Sequence, residues 1–252
     1  MFKIMKHEII RNRSTLIALV GVLLCAEIVF LLGAIRSKGT TMVMGFLFLI
    51  LATGASFFTV WIQGVTGFKR DLSEKSGYMI FMTPVSPYRI VVGRLLVALL
   101  ELILASGMVA LMFLINVKIL YVKYETPLEI IELVARFLGV SMSEIWVSLT
   151  IAIMTSMLTT LTLYAAAHLF EAIWALNSGR SASGKGLTIF LTLAALVVFI
   201  LIAVLLPNLQ STAWNPVVRG FIRKIPRYIF YLAGIVISSL STGYLLKEKV
   251  SL

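Results

Sequence analysis

The chain has 252 residues, 60% hydrophobic and 13% charged, with a formal net charge of +11. A soluble globular domain carries about 25% charged residues, so this composition excludes a water-soluble enzyme or binding module and leaves room for one membrane domain. The excess of Lys and Arg forms no basic stripe interleaved with aromatics in a soluble segment, so it reads as loops held on the cytoplasmic face and in contact with membrane lipid, with no nucleic-acid partner. Cys25 is the single cysteine, so no intramolecular disulfide and no cysteine metal site is expected.

A helical crossing needs about 20 mostly apolar residues, because the hydrocarbon core is about 30 Å thick and a helix rises about 1.5 Å per residue. Apolar runs of that length predict six spans, at 15–35, 42–65, 91–115, 145–167, 187–206 and 229–246. The expected fold is all-α and polytopic, one membrane domain over 1–252. The basic residues Lys3, Lys6, Arg11 and Arg13 precede the first run in the manner of a signal peptide. That run is too long for a signal-peptide core and no clear small-residue cleavage site follows, so it reads as a retained span.

The first and third spans carry the carboxylates Glu27 and Glu101. A charge at the bilayer centre costs roughly 3 kcal/mol on insertion scales, so such acids face a bundle interior or water. They read either as a proton relay or cationic binding site, or as acids that are protonated or bonded to Ser or Thr of a neighbouring helix. No intramembrane Lys or Arg partner is visible, which favours the second reading.

Between the second and third spans runs an inner connection over 66–89. A charged stretch, Lys69–Ser76, ends at Gly77; an apolar patch, Tyr78–Met82, follows, then a turn at Thr83–Pro84. Ser86 and Pro87 supply an N-cap and a first-turn proline for the third span. This pattern predicts a small helix held against the inner face with its charges presented to the cytosol. Composition leaves two roles open, docking of a partner and a plain interfacial loop.

Beyond the third span, Thr126, Pro127 and Glu129 make a helix start, and 126–139 places Glu125, Glu129, Glu132 and Arg136 on one face. It predicts an amphipathic helix on the outer membrane surface, with a gate over a substrate exit as the alternative. The fourth span is rich in hydroxyls: Ser148, Thr150, Thr155, Ser156, Thr159, Thr160 and Thr162. Such residues let helices approach and bond across; lining of a translocation path by Ser156, Thr159 and Thr160 together with Glu27 and Glu101 is the functional alternative. His168 and Glu171, one turn apart, read as a solvated helix end. The run Gly179 to Gly186 fits GxxxxGK but has Gly186 where a phosphate loop needs Ser or Thr, and it sits between spans, so no nucleotide site is expected. No catalytic or metal-binding constellation emerges.

Six spans put both termini on one side. That side would hold thirteen Lys and Arg residues, against nine on the other, which favours cytoplasmic termini. The basic cluster Arg219–Arg227 then falls outside and reads as an interfacial or re-entrant segment. The six prolines, Pro84, Pro87, Pro127, Pro207, Pro216 and Pro226, all fall in connections or at predicted helix starts.

Two stretches carry a family resemblance. Phe68, Asp71, Leu72, Gly77, Thr83-Pro84-Val85-Ser86, Arg89-Ile90-Val91 and Gly93-Arg94-Leu95-Leu96 resemble the loop between spans two and three of type 2 ABC transporter permeases. The ending with Ser241, Tyr244-Leu245-Leu246 and Lys249-Val250 is similar to the usual ending of such chains. The resemblance implies a coupling helix that docks on a separate ATPase, with Lys69, Arg70, Asp71, Leu72, Glu74 and Lys75 in the docking stretch. It implies a turn at Thr83 and Pro84 and a moving helix starting over Pro87–Leu95, with Arg89 among the coupling residues. It also implies a complex of two permease chains, identical or paralogous, with two ATP-binding subunits that hold ATP and magnesium; this chain would bind no cofactor. The expectation is a non-enzymatic subunit of an exporter in the cytoplasmic membrane of a prokaryote, moving an amphipathic peptide, antibiotic or lipid-like cargo. The alternatives are an ion-coupled secondary transporter using Glu27 and Glu101, which would call for broken helices or inverted repeats that the sequence lacks, and a non-transporting membrane scaffold or sensor.

Overall fold

The computed structural model describes residues 2–36, 39–73, 86–124, 145–177, 197–198, 201–202, 205–209 and 216–250. Its long elements are all helices: α1 (Phe2–Ile35), α2 (Gly39–Ser73), α3 (Pro87–Tyr124), α4 (Ile145–Asn177) and α5 (Pro216–Val250). Among the described residues these five are long and apolar enough to cross a membrane, the architecture of an all-α polytopic membrane protein. Large apolar side chains such as Leu51, Phe58, Leu111 and Ile229 face outward, as a lipid-facing surface requires. Each helix has 33 to 38 residues. At about 1.5 Å per residue that is roughly 50 Å or more, so every helix outruns the hydrocarbon core.

Contacts fix the helix directions. Ile4 of α1, Phe68 and Leu72 of α2, Ile90 and Val91 of α3, Ala172 of α4 and Leu246 of α5 form one apolar cluster. The start of α1, the end of α2, the start of α3 and the ends of α4 and α5 therefore meet at one end of the bundle, here called proximal. Phe30 and Ala34 of α1, Leu49 of α2 and Ile119 of α3 pack together toward the other, distal end. The main core lies between, built from Leu19, Leu23, Val60, Trp61, Leu102, Ala105, Leu161 and Ala167 of the first four helices.

Helices α4 and α5 run parallel. A Cβ on Gly220 would strike Ile151, the Thr155 and Tyr228 hydroxyls lie 3.5 Å apart, and the Thr162 hydroxyl donates to the Tyr231 carbonyl at 3.2 Å. The chain thus leaves α4 at the proximal end and enters α5 at the distal end.

Several sequence expectations change here. The charged stretch from Lys69 is no separate small helix: residues 66–73 continue α2 without a break, because Phe68 and Leu72 extend its apolar stripe into the proximal cluster. The helix α3 starts at Pro87, and the Ser86 carbonyl accepts the Arg89 N–H at 2.9 Å. The basic segment Arg219–Arg227 is neither re-entrant nor separate; it forms early turns of α5, and Pro226 lies inside that helix rather than before it. Proline has no N–H to give and crowds the preceding turn; in that turn the Arg223 carbonyl accepts the Leu209 N–H at 3.1 Å. The predicted outer helix at 126–139 and the run 179–186 lie outside the described residues, as does most of the fifth predicted span; its described residues 197–198, 201–202 and 205 are helical.

Candidate functional site

The proximal end holds a closed ring of four charges from three helices. Glu8 and Arg11 sit one turn apart on α1, Asp71 near the end of α2, and Arg94 in the second turn of α3. Arg11 Nη1 reaches Asp71 Oδ2 at 3.0 Å and Oδ1 at 3.2 Å, one nitrogen straddling both carboxylate oxygens. Arg94 Nη2 reaches Glu8 Oε1 at 3.2 Å and also pairs with Asp71, while Arg11 also pairs with Glu8. Glu8 and Asp71 are each 4% exposed and Arg94 2%. Two carboxylates balance two guanidiniums, so the ring is formally neutral. That balance matters, because an uncompensated buried charge is far more costly than a paired one.

Aromatic side chains extend the ring toward α4. The Arg94 guanidinium lies 5.1 Å from the centroid of the Phe68 ring, a favourable cation–π placement. Phe68 stacks on His168 with centroids 4.2 Å apart, and His168 meets Tyr164 at 4.4 Å. A Cβ at position 64 would run into the Tyr164 ring, so only glycine at 64 lets α2 approach α4 this closely. His168 and Glu171 are buried, not a solvated helix end. Phe68 and Tyr164 cover His168, and Glu171 one turn on is 3% exposed, a burial their polarity alone does not announce.

Two polar rungs tie α1 to α3. Asn12 Nδ2 donates to Glu101 Oε1 at 3.0 Å, and Asn116 Nδ2 donates to Glu27 Oε2 at 3.1 Å. Both pairs are separated by 89 residues, so the helices run parallel in a single register, each giving one Glu and one Asn. The intramembrane acids are therefore bonded across helices, as one reading expected, but to asparagine and not to Ser or Thr.

The other candidate residues scatter. Arg70 and Arg89 are exposed, Lys69 is half-buried, and Leu72 packs against the proximal apolar cluster. Asp71 is buried in the bundle, although the charged stretch 69–76 predicts charges presented to the cytosol. Glu74, Lys75, Thr83 and Pro84 lie outside the described residues. On α4, Ser156 is exposed, and Thr159 and Thr160 turn their hydroxyls back to the carbonyls of Thr155 and Ser156 at 2.7 and 2.8 Å. They do not join Glu27 and Glu101, which belong to the α1–α3 seam. Sequence reasoning missed Glu8, Arg11 and Arg94 as a unit, and Asn12 and Asn116 as partners. Among the described residues, no group of three His, Cys, Asp or Glu side chains could hold a metal ion. Comparison with protein-family models, with curated proteins and with solved structures finds no match.

Proposed function

We propose that this chain is the membrane-spanning subunit of an ATP-binding-cassette exporter, worked by ATP hydrolysed in a separate ATPase and carrying an amphipathic cargo across the cytoplasmic membrane. The observation that carries the reading is the position of the charge ring. It clamps α1, α2 and α3 together at the end where the chain leaves α2 and returns in α3. A push on the 74–85 connection would reach all three helices as one lever, because the ring, the Arg94–Phe68 contact and the Phe68–His168 stack resist separate movement. In this reading the docking charges are those beyond the ring, Lys69, Arg70, Glu74, Lys75 and Arg89, while Asp71 holds the lever together.

The same reading has six crossings with both termini in the cytoplasm. Parallel α4 and α5 favour it: 38 residues, 178–215, join the proximal end of α4 to the distal end of α5, and their apolar run 187–206 is long enough for the return. With Cys25 replaced by Ser, cysteines introduced at Arg70 and Arg223 should label from opposite sides: a membrane-impermeant maleimide added to intact cells should modify Arg223→Cys and spare Arg70→Cys until the membrane is opened. Labelling of both from the same side would remove the six-crossing topology.

The function is tested by purifying the tagged chain from native membranes in mild detergent. An ATPase subunit should co-purify and hydrolyse ATP. Glu74→Arg combined with Lys75→Glu should release it while the chain stays monodisperse. Retention of the ATPase by that variant would refute these docking residues, and an intact native complex without any ATPase would refute the exporter.

A further inference from the structure

We infer that the distal rung of the α1–α3 seam is a proton-binding site: Glu27 holds a proton there and shares it with Asn116. The argument is hydrogen-bond bookkeeping and does not depend on the exporter reading. Glu27 and Asn116 are each 6% exposed. One bond joins them, from Asn116 Nδ2 to Glu27 Oε2. The remaining oxygens of the same two groups, Glu27 Oε1 and Asn116 Oδ1, are both buried and both lack a hydrogen-bond partner.

Two orphaned acceptors on two planar groups already in contact have one economical remedy. A proton on Oε1 would make that oxygen a donor, and the acceptor still unanswered in the same pair is Asn116 Oδ1. The carboxylic acid and the primary amide then form a cyclic pair, each giving one hydrogen and taking one. A carboxylate cannot do this, since both its oxygens only accept. It would also leave a net charge in apolar surroundings. Leu23, Ala26 and Phe30 flank Glu27 along α1, Met112 and Ile119 flank Asn116 along α3, and Leu49 and Ala52 of α2 pack into the same two clusters. No Lys or Arg forms an ion pair with Glu27 among the described residues; Arg11 and Arg94 pair with Glu8 and Asp71 in the proximal ring. The proton comes from water and adds one positive charge, so the rung becomes neutral. A monovalent cation between the two oxygens is the rival occupant, and it requires an ionised Glu27.

The test is an infrared difference spectrum of the full chain in lipid nanodiscs at neutral pH. The carbonyl stretch of a protonated carboxylic acid should be present in the native protein, absent in Glu27→Gln, and shifted in Asn116→Ala, while Glu101→Gln leaves that component in place. Glutamine can make the same two bonds to Asn116, so Glu27→Gln should melt within a few degrees of the native chain and Glu27→Ala well below it. If Glu27→Gln removes no acid band, Glu27 is ionised and the proposal fails. If the band shrinks as sodium or potassium is titrated in, the ligand is a metal cation and the proposal fails equally. If Asn116→Ala leaves the band unmoved, the proton is present but not shared, and the acid–amide pair is overturned.

Discussion

Replacing Arg94 by Ala should cost the bundle about 3–5 kcal/mol of stability, the range found when one partner of a buried ion pair is removed. Two effects add. Glu8 and Asp71 would be left buried with Arg11 as their one remaining cation in the ring, a net negative charge shielded from water. The Arg94 side chain, 2% exposed, would also leave a void beside Phe68. A Lys at 94 restores the charge and offers one nitrogen in place of the single Nη2 that meets both Glu8 and Asp71, but it lacks the guanidinium plane over the Phe68 ring. It should fall between Ala and the native residue. The decisive comparison is a cycle: Asp71→Asn alone and Arg94→Gln alone each strand a charge, whereas the double variant removes one of each sign. Thermal unfolding in detergent should show the double variant more stable than the sum of the two losses. Strict additivity would mean the ring carries no coupling, and the lever built on it would go too.

The charge ring also shows where sequence reading succeeds and where it stops. Helices were legible because lipid demands long apolar runs, and a run of that length is visible one residue at a time. The pairing of charges across 60 residues, as between Arg11 and Asp71, has no local signature. The charged stretch Lys69–Ser76 reads as a unit presented to the cytosol, yet Asp71 stands three residues after Phe68 and one before Leu72. Those two already mark the inner face of α2, so the helical period placed Asp71 inward. Arg94 follows the same rule: Ile90 and Ala98, one turn before and after it, are both buried. Glu27 and Glu101 were recognisable as acids that must be answered from a neighbouring helix. That the answer is asparagine required knowing that α1 and α3 run parallel with an 89-residue offset, which composition does not contain. Pro226 misled for a physical reason as well. A proline usually opens a helix, and the first turns of α5 are basic enough to pass for a connection, but the packing of Gly220 on Ile151 keeps them helical and seated on α4.

Close packing of α1 on α2 makes Gly45 the glycine whose substitution should do most damage. A Cβ there would sit 2.5 Å from the Phe30 Cα and 2.6 Å from its backbone nitrogen, distances that real Cβ contacts do not reach. The obstacle is main chain, so no rotamer change relieves it and α1 must move away bodily. In lipid, helices gain nothing from hiding apolar surface and associate through close packing and cross-helix bonds, so a forced gap removes the main attraction. Overpacking typically costs about 1–3 kcal/mol and occasionally more; with backbone as the obstacle, Gly45→Val should reach the upper end. Phe30 lies one turn beyond Glu27, so the displacement should also loosen the Glu27–Asn116 rung. Gly54, in the same helix, has nothing within 4 Å of the position its Cβ would take. Gly54→Ala is the matched control, expected to melt at or above the native temperature because alanine is the better helix former. If Gly45→Val and Gly54→Ala melt alike, α1 and α2 are not held at this crossing, and the seam that aligns Glu27 with Asn116 must be held by α3 alone.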